Sequence, residues 1–197
     1  MSRRMNIYFD TEFTGLHKDT SLISIGLVAD DGNRFYAELT DYKEEQCDEW
    51  IVRNVLSHLI LSGNNELETE LENDGFTTVM IGNKEQVSEA LKEWLGKYSR
   101  NLIYFVSDVC HYDMVLLIDL LCKSAINMPP NMCPLCIDVA QKMIHVLGKT
   151  GMEAFRISRE QFLKDRGIEL PKGQKHSSIY DAEVIRLISN CLEIPFT

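Results

Sequence analysis

The apolar run Met5-Asn6-Ile7-Tyr8-Phe9 leads straight into Asp10-Thr11-Glu12. Its β-forming residues make a strand, and side chains alternate along a strand, so Asp10 and Glu12 share one face. Their backbones then stand roughly 6.5–7 Å apart. Two unit charges at that separation repel by about 2–3 kcal/mol at an effective dielectric near 20. A stable fold seldom keeps both acids on one strand face without a cation between them. Ligation by oxygen alone suits Mg²⁺ or Mn²⁺.

The 197 residues suffice for one well-cored domain, and 45% apolar with 25% charged residues is the composition of a soluble globular protein. No apolar run approaches the ~18 residues of a membrane span. The longest, Met114 to Ile126, is interrupted by Asp119 and Lys123. The amino-terminal Met-Ser-Arg-Arg lacks a following signal-type apolar region, so the expected location is cytoplasmic. Six cysteines do not make a disulfide framework. The one close pair, Cys133 and Cys136, falls in an expected strand, where i and i+3 face opposite sides.

A net charge of −10 argues against nucleic acid at first sight, but the charge is unevenly spread. Eleven acids face two bases between Glu38 and Asp74, whereas Arg156 to Lys175 holds six bases against three acids.

Strands are expected at Met5–Phe13, Leu22–Ala29 and Arg34–Leu39, the last two joined by Asp30-Asp31-Gly32-Asn33, giving an antiparallel meander. A helix is expected over Asp48–Leu59, and residues 62–82 read as an acidic, irregular surface excursion. Val87, Ala90, Leu91, Trp94, Leu95 and Tyr98 have helical spacing. Leu102–Val106 reads as a buried strand. A helix over Tyr112–Ala125, a strand near Leu135–Val139 and a helix over Ala140–Leu147 follow. Helices over Ser158–Arg166 and Ser177–Cys191 close a single domain spanning 1–197.

Asp113 falls in the first turn of a helix, where the dipole alone would favour an acid. His176 and Asp181 are five residues apart and can serve one site only if His176 lies in the loop before the helix. Lys172-Gly173-Gln174-Lys175 supplies that loop.

The order Asp-x-Glu, a mid-chain Asp at a helix head, then His-x4-Asp resembles the DEDD exonuclease superfamily. The matching pieces are Phe9-Asp10-Thr11-Glu12-Phe13-Thr14-Gly15-Leu16, Tyr112-Asp113 and His176-Ser177-Ser178-Ile179-Tyr180-Asp181-Ala182. They span nearly the whole chain. The terminal His marks the DEDDh branch, which includes proofreading exonucleases, oligoribonuclease and ribonuclease T. Asp-Thr-Glu-Phe and His-Tyr-Asp-Met-Val look most like the exoribonuclease AS-type enzymes. Two departures stand out. Asp108 and His111 occupy the region where proofreading enzymes carry an Asn before the Asp, and Ser178 replaces a commoner Ala.

The resemblance implies an α/β, RNase H-like fold with a central mixed sheet of five strands, a three-strand meander plus parallel strands, flanked by helices. It implies 3′-5′ exonuclease activity releasing nucleoside 5′-monophosphates. Asp10, Glu12, Asp113 and Asp181 would hold two divalent ions, Mg²⁺ or Mn²⁺, and His176 would be the general base. Thr11, Phe13, Thr14 and Leu16 directly follow the strand acids and are expected to meet the terminal nucleotide, although Phe13 equally suits the core. The implied partner is single-stranded or 3′-overhang nucleic acid, RNA being favoured through the closest-looking relatives, and a homodimer is the implied assembly. Three alternatives remain: an exodeoxyribonuclease of the same mechanism, an inactive nucleic-acid-binding domain, or another metal-dependent phosphoryl-transfer enzyme on this fold.

Overall fold

The computed structural model describes residues 3–62, 71 and 74–192. Its centre is a sheet of order β4-β3-β2-β1-β5-β6. Strand β1 is Arg3–Phe13, β2 Leu22–Ala29 and β3 Arg34–Leu39. These three form the expected meander, and β5 (Asn101–Ser107) and β6 (Ile137–Asp138) pair parallel beyond β1.

Among the described residues the sheet has six strands rather than five. The extra one is β4, Thr77–Gly82, which pairs parallel with β3 at the edge. It corrects the expected irregular excursion, because Thr-Thr-Val-Met-Ile is rich in β-branched residues that suit a pleated surface. The middle of that excursion, 63–70 and 72–73, lies outside the described residues.

Seven helices are named here: α1 (Glu49–Asn54), α2 (Lys84–Gly96), α3 (His111–Cys122), α4 (Val139–Leu147), α5 (Gly151–Arg156), α6 (Arg159–Lys164) and α7 (Ser178–Cys191). The helix expected over Asp48–Leu59 is α1 followed by a 3₁₀ turn at Leu56–His58. The expected strand near Leu135–Val139 shrinks to the two residues of β6, which leaves Cys133 and Cys136 in irregular chain before it. Helix α5 was not expected, yet Thr150 and Glu153 make a reciprocal capping box at its start.

Alternation in the strands divides the core between the two faces of the sheet. Ile7, Phe9, Ile25, Leu27 and Phe35 pack against Leu91 and Trp94 of α2 and Leu117 and Leu120 of α3. On the other face, Tyr8 and Val106 meet Val139, Ala154, Phe162, Val184 and Ile185. Val28 and Tyr36 meet Ile179 and Ala182 of α7.

Two local features of β2 shape what lies beyond β1. Glu12 pairs with Ser24 and Phe13 with Leu22, so Ile23 is an extra residue opposite them, a bulge. Its side chain is thereby aimed at Ile51 and Val55, which seats α1 beside the end of β1. At Gly26, the partner of Asp10, an added Cβ would lie 2.4 Å from main-chain atoms of Ser178 and Ile179. Helix α7 therefore lies directly on the sheet, with the Ser24 and Ser178 hydroxyls 3.0 Å apart.

Gly26→Ala is expected to push the start of α7 off the sheet. Backbone cannot yield as a flexible side chain can, so the cost is about 1–3 kcal/mol or more. Denaturant unfolding measures it. An unchanged midpoint would show that α7 does not depend on this approach.

Candidate active site

The site lies where β1 outruns its parallel neighbour. Pairing with β5 ends at Tyr8 and Val106, so Asp10 and Glu12 stand beyond the carboxyl end of that pair. Crevices at the carboxyl ends of parallel strands are the usual ligand sites of α/β sheets. Here a cleft of about 790 Å³ is lined by Asp10, Glu12, Asp113, His176 and Asp181 together. All five residues expected to carry the chemistry thus meet in one place.

Each arrives by a different local device. Chain reversal after β5 uses Val109 at φ 55°, with its amide and that of Cys110 donating to Asp138, the cap of α4. That turn brings Asp113, in the first turn of α3, back to β1. Its carboxylate accepts from the Thr11 amide at 3.0 Å and the Thr11 hydroxyl at 2.6 Å. Asp108, the other acid of this segment, is held by Arg159 through two bonds of 2.6 and 2.9 Å. The acid at the cluster is therefore Asp113.

His176 precedes α7 in the left-handed region, at φ 67°. Strain of this kind gathers at functional sites, where the surroundings hold it in place. Here the His176 amide donates to Asp181 at 2.7 Å, and His58 Nδ1 lies 3.0 Å from the Lys175 carbonyl. The imidazole packs against Trp50 edge to face, with ring centroids 5.0 Å apart. One donor atom each from Glu12, His176 and Asp181 lies within 4.8 Å of the others, a spacing suited to a metal ion. His176 is thus placed to ligate as well as to accept a proton, beyond the base role expected for it.

The residues expected at the terminal nucleotide divide. Leu16 is 79% exposed and lines the cleft. Phe13 lines it too, while stacking on Tyr112 with centroids 5.4 Å apart. Thr11 lines the cleft as well, and its buried hydroxyl donates to Asp113. Thr14 is 1% exposed, and its hydroxyl donates to Gln46 at 2.6 Å and accepts from the Ser21 amide at 2.9 Å. The cleft residues that went unforeseen include Trp50, Phe155 and Arg156. Trp50 lies off the apolar stripe of its helix, and a large aromatic there was a readable signal.

No protein-family model matches the chain. Two curated 3′-5′ exoribonucleases of Mycobacterium tuberculosis, from strains CDC 1551 / Oshkosh and ATCC 25618 / H37Rv, are each 40% identical to it over 55 residues. That stretch is 28% of this chain and 33% of each relative, so the match spans about a third of their length. The 3′-exonuclease solved in 3′-end-specific recognition of a histone mRNA stem-loop superposes with a TM-score of 0.65 at 10% identity. The superposition covers 96% of this chain and 81% of that one, and shows the shared RNase H-like fold. Over that short stretch the chain is similar to 3′-5′ exoribonucleases, and its fold is that of the solved 3′-exonuclease.

The charges of this acid cluster resist one another. Burial, then Asp113, Asp181 and Glu12, push the Asp10 carboxyl well above the usual range. Glu12 is raised by burial and by Asp181 and Asp113, with Lys175 opposing. Burial lifts Asp113 to about 6 against its Thr11 bonds, and Asp181 to about 7 against the His176 amide and Lys175. His176 moves the other way, lowered by burial and by Lys175 and His58. An oxygen-rich set whose ionisation is opposed by its own burial fits hard divalent cations, which would favour the charged forms. Asp10, Glu12, Asp113 and Asp181 would hold them, within reach of His176.

The sign of the resulting pH effect follows. Acids raised in the folded state still ionise near 4 once unfolded. Between pH 4 and about 7 the unfolded chain therefore binds fewer protons, and the metal-free protein loses stability as pH rises. Asp10→Asn is expected to raise the metal-free Tm at pH 7 while shrinking the rise that Mg²⁺ or Mn²⁺ produces in the wild type. Thermal unfolding in chelator and in metal checks both. An Asp10→Asn protein with the wild-type metal response would remove Asp10 from the ligand set.

Proposed function

We propose that this chain is a divalent-metal-dependent 3′-5′ exoribonuclease that releases nucleoside 5′-monophosphates from single-stranded 3′ ends. The observation that carries this reading is the convergence of Asp10, Glu12, Asp113, Asp181 and His176 on one cleft. The choice of RNA is supported by the curated relatives, which are exoribonucleases. The homodimer and the cytoplasmic location belong to the same reading and rest on resemblance and composition. Among the described residues, no helix is long and apolar enough to cross a membrane.

The residues divide the work. His176, kept neutral near pH 7 by its lowered pKa, takes a proton from water as the water oxygen bonds to phosphorus. The phosphorus–O3′ bond then breaks and its electron pair leaves on O3′. Divalent ions, when bound, supply Lewis-acid stabilisation of the charge on phosphate and leaving oxygen. The Asp181 carboxylate accepts the His176 amide and so fixes the loop that presents the imidazole. Leu16 and Trp50, both exposed at the cleft, offer apolar faces to the terminal base. Arg156 and Lys175 bring to the cleft two charges of the basic stretch, which offsets the acidity of the chain where a phosphate backbone would lie.

The test uses 5′-labelled RNA and DNA oligomers at one salt and Mn²⁺ concentration. RNA is expected to shorten one nucleotide at a time, chelator to stop the reaction, and a 3′-phosphate to block it. His176→Ala is expected to lower turnover about 10²–10⁴-fold. Calorimetry of that variant separates its roles, since lost metal affinity would make His176 a ligand. Wild-type turnover should rise as His176 deprotonates, at a pH below the ordinary 6.5. Preference for DNA would replace the exoribonuclease with an exodeoxyribonuclease. Cleavage indifferent to a 3′-phosphate would overturn the exonuclease.

A further inference from the structure

We propose that Phe155 and Arg156 form the subsite for the penultimate nucleotide of the single strand, Phe155 stacking on its base and Arg156 meeting its phosphate. This deepens, and rests on, the exonuclease reading above.

The two walls of the cleft stand on either side of β1. Helix α1, with Trp50, packs on Ile23 of β2. Helix α5, with Phe155 and Arg156, packs through Ala154 on Tyr8 and Val106 of β1 and β5. Since β1 lies between β2 and β5, the strand acids stand between the walls. Both walls line the same cleft.

Attack at phosphorus fixes which wall takes which nucleotide. In an in-line displacement the attacking and leaving oxygens stand on opposite sides of phosphorus. The proton acceptor for the attacking water, His176, touches Trp50 on the α1 wall. The leaving O3′ therefore points away from that wall, towards α5. That oxygen belongs to the penultimate nucleotide, so its sugar and base continue along the α5 wall. A cleft of about 790 Å³ lies near the upper end of small-molecule sites, roughly 300–1,000 Å³, and holds more than one nucleotide.

The chemistry of the wall suits such an occupant. Phe155 is 60% exposed, although helix α5 offers it a buried side next to Ala154. Arg156 is exposed beside it. An aromatic face next to a cation is the usual pairing for single strands, stacking a base while meeting the backbone. The pair is also held still. Arg159 donates to the carbonyls of Ala154 and Ile157, both at 2.7 Å, while its other nitrogens grip Asp108. One guanidinium thus clamps the α5–α6 corner to the turn that leads to Asp113. A base resting on Phe155 is thereby registered against the acid cluster.

The experiment compares an oligoribonucleotide with 5′-UMP, which occupies the terminal position alone. In Phe155→Ala, kcat/KM on a tetranucleotide is expected to fall about 5- to 150-fold, the loss of one base–aromatic stack. Inhibition by 5′-UMP should stay at the wild-type level, and Phe155→Tyr should restore the oligomer rate. Trp50→Ala should weaken both ligands. For Arg156→Gln, the slope of log affinity for the oligomer against log salt should become shallower by about 0.7, the value of one single-strand phosphate contact. If Phe155→Ala changes 5′-UMP and the oligomer equally, the residue merely shapes the site and the proposal is wrong. If it changes neither, the subsite lies elsewhere. Should the wild type release no 5′-mononucleotide from RNA or DNA, the exonuclease reading itself fails and takes this subsite with it.

Discussion

The backbone of α7 approaches β2 at Gly26 so closely that one added Cβ would meet the main chain of Ser178 and Ile179. That contact sets the depth of the whole helix. Asp181 sits one turn into α7, and His176 precedes it, so both reach the acids of β1 only from this depth. The Ser24–Ser178 hydroxyl pair fixes the position along the strand, and apolar contacts of Ile179 and Ala182 hold the helix down. Packing assembles the site, and it does so against the electrostatics.

That opposition is visible acid by acid. Asp113 is quieted by two donors from Thr11, and Asp181 by the amide of His176. Asp108 is matched by the Arg159 guanidinium. Asp10 is surrounded differently, because Asp113, Asp181 and Glu12 all act to keep its proton on. The chain thus neutralises the acids that shape the scaffold and leaves repulsion where β1 ends. Buried like charges on a stable scaffold are a common mark of sites that await an opposite charge.

Much of this was legible in the sequence because it obeys short-range rules. Alternation alone put Asp10 and Glu12 on one face, and the turn-forming residues before Ser177 correctly placed His176 in a loop. The meander and the stripe of α2 are plain in their periodicity. Other features depended on distant partners. Thr14 looked available beside the acids, but Gln46, far along the chain, occupies its hydroxyl. Thr11 lines the cleft, but only the arrival of α3 supplies Asp113 as the partner of its hydroxyl. Nothing local in Leu22-Ile23-Ser24 announces a bulge, since it exists only against Glu12 and Phe13. Strand β4 and helix α5 are different cases. The β-branched run of one and the capping box of the other were present and were outweighed by their polar surroundings.

The clamp of Arg159 on Asp108 and the bulge at Ile23 anchor two walls that share no residues with the acid cluster. On the proposed function, reaction chemistry is written into β1, the head of α3 and the start of α7, while the reach of the cleft is written into α1 and α5. A lineage carrying this fold can therefore exchange the walls of the cleft without disturbing the acid cluster. Variation in ligand preference among such proteins should accordingly collect in the short helices at positions like 50 and 155, and leave the strand ends alone.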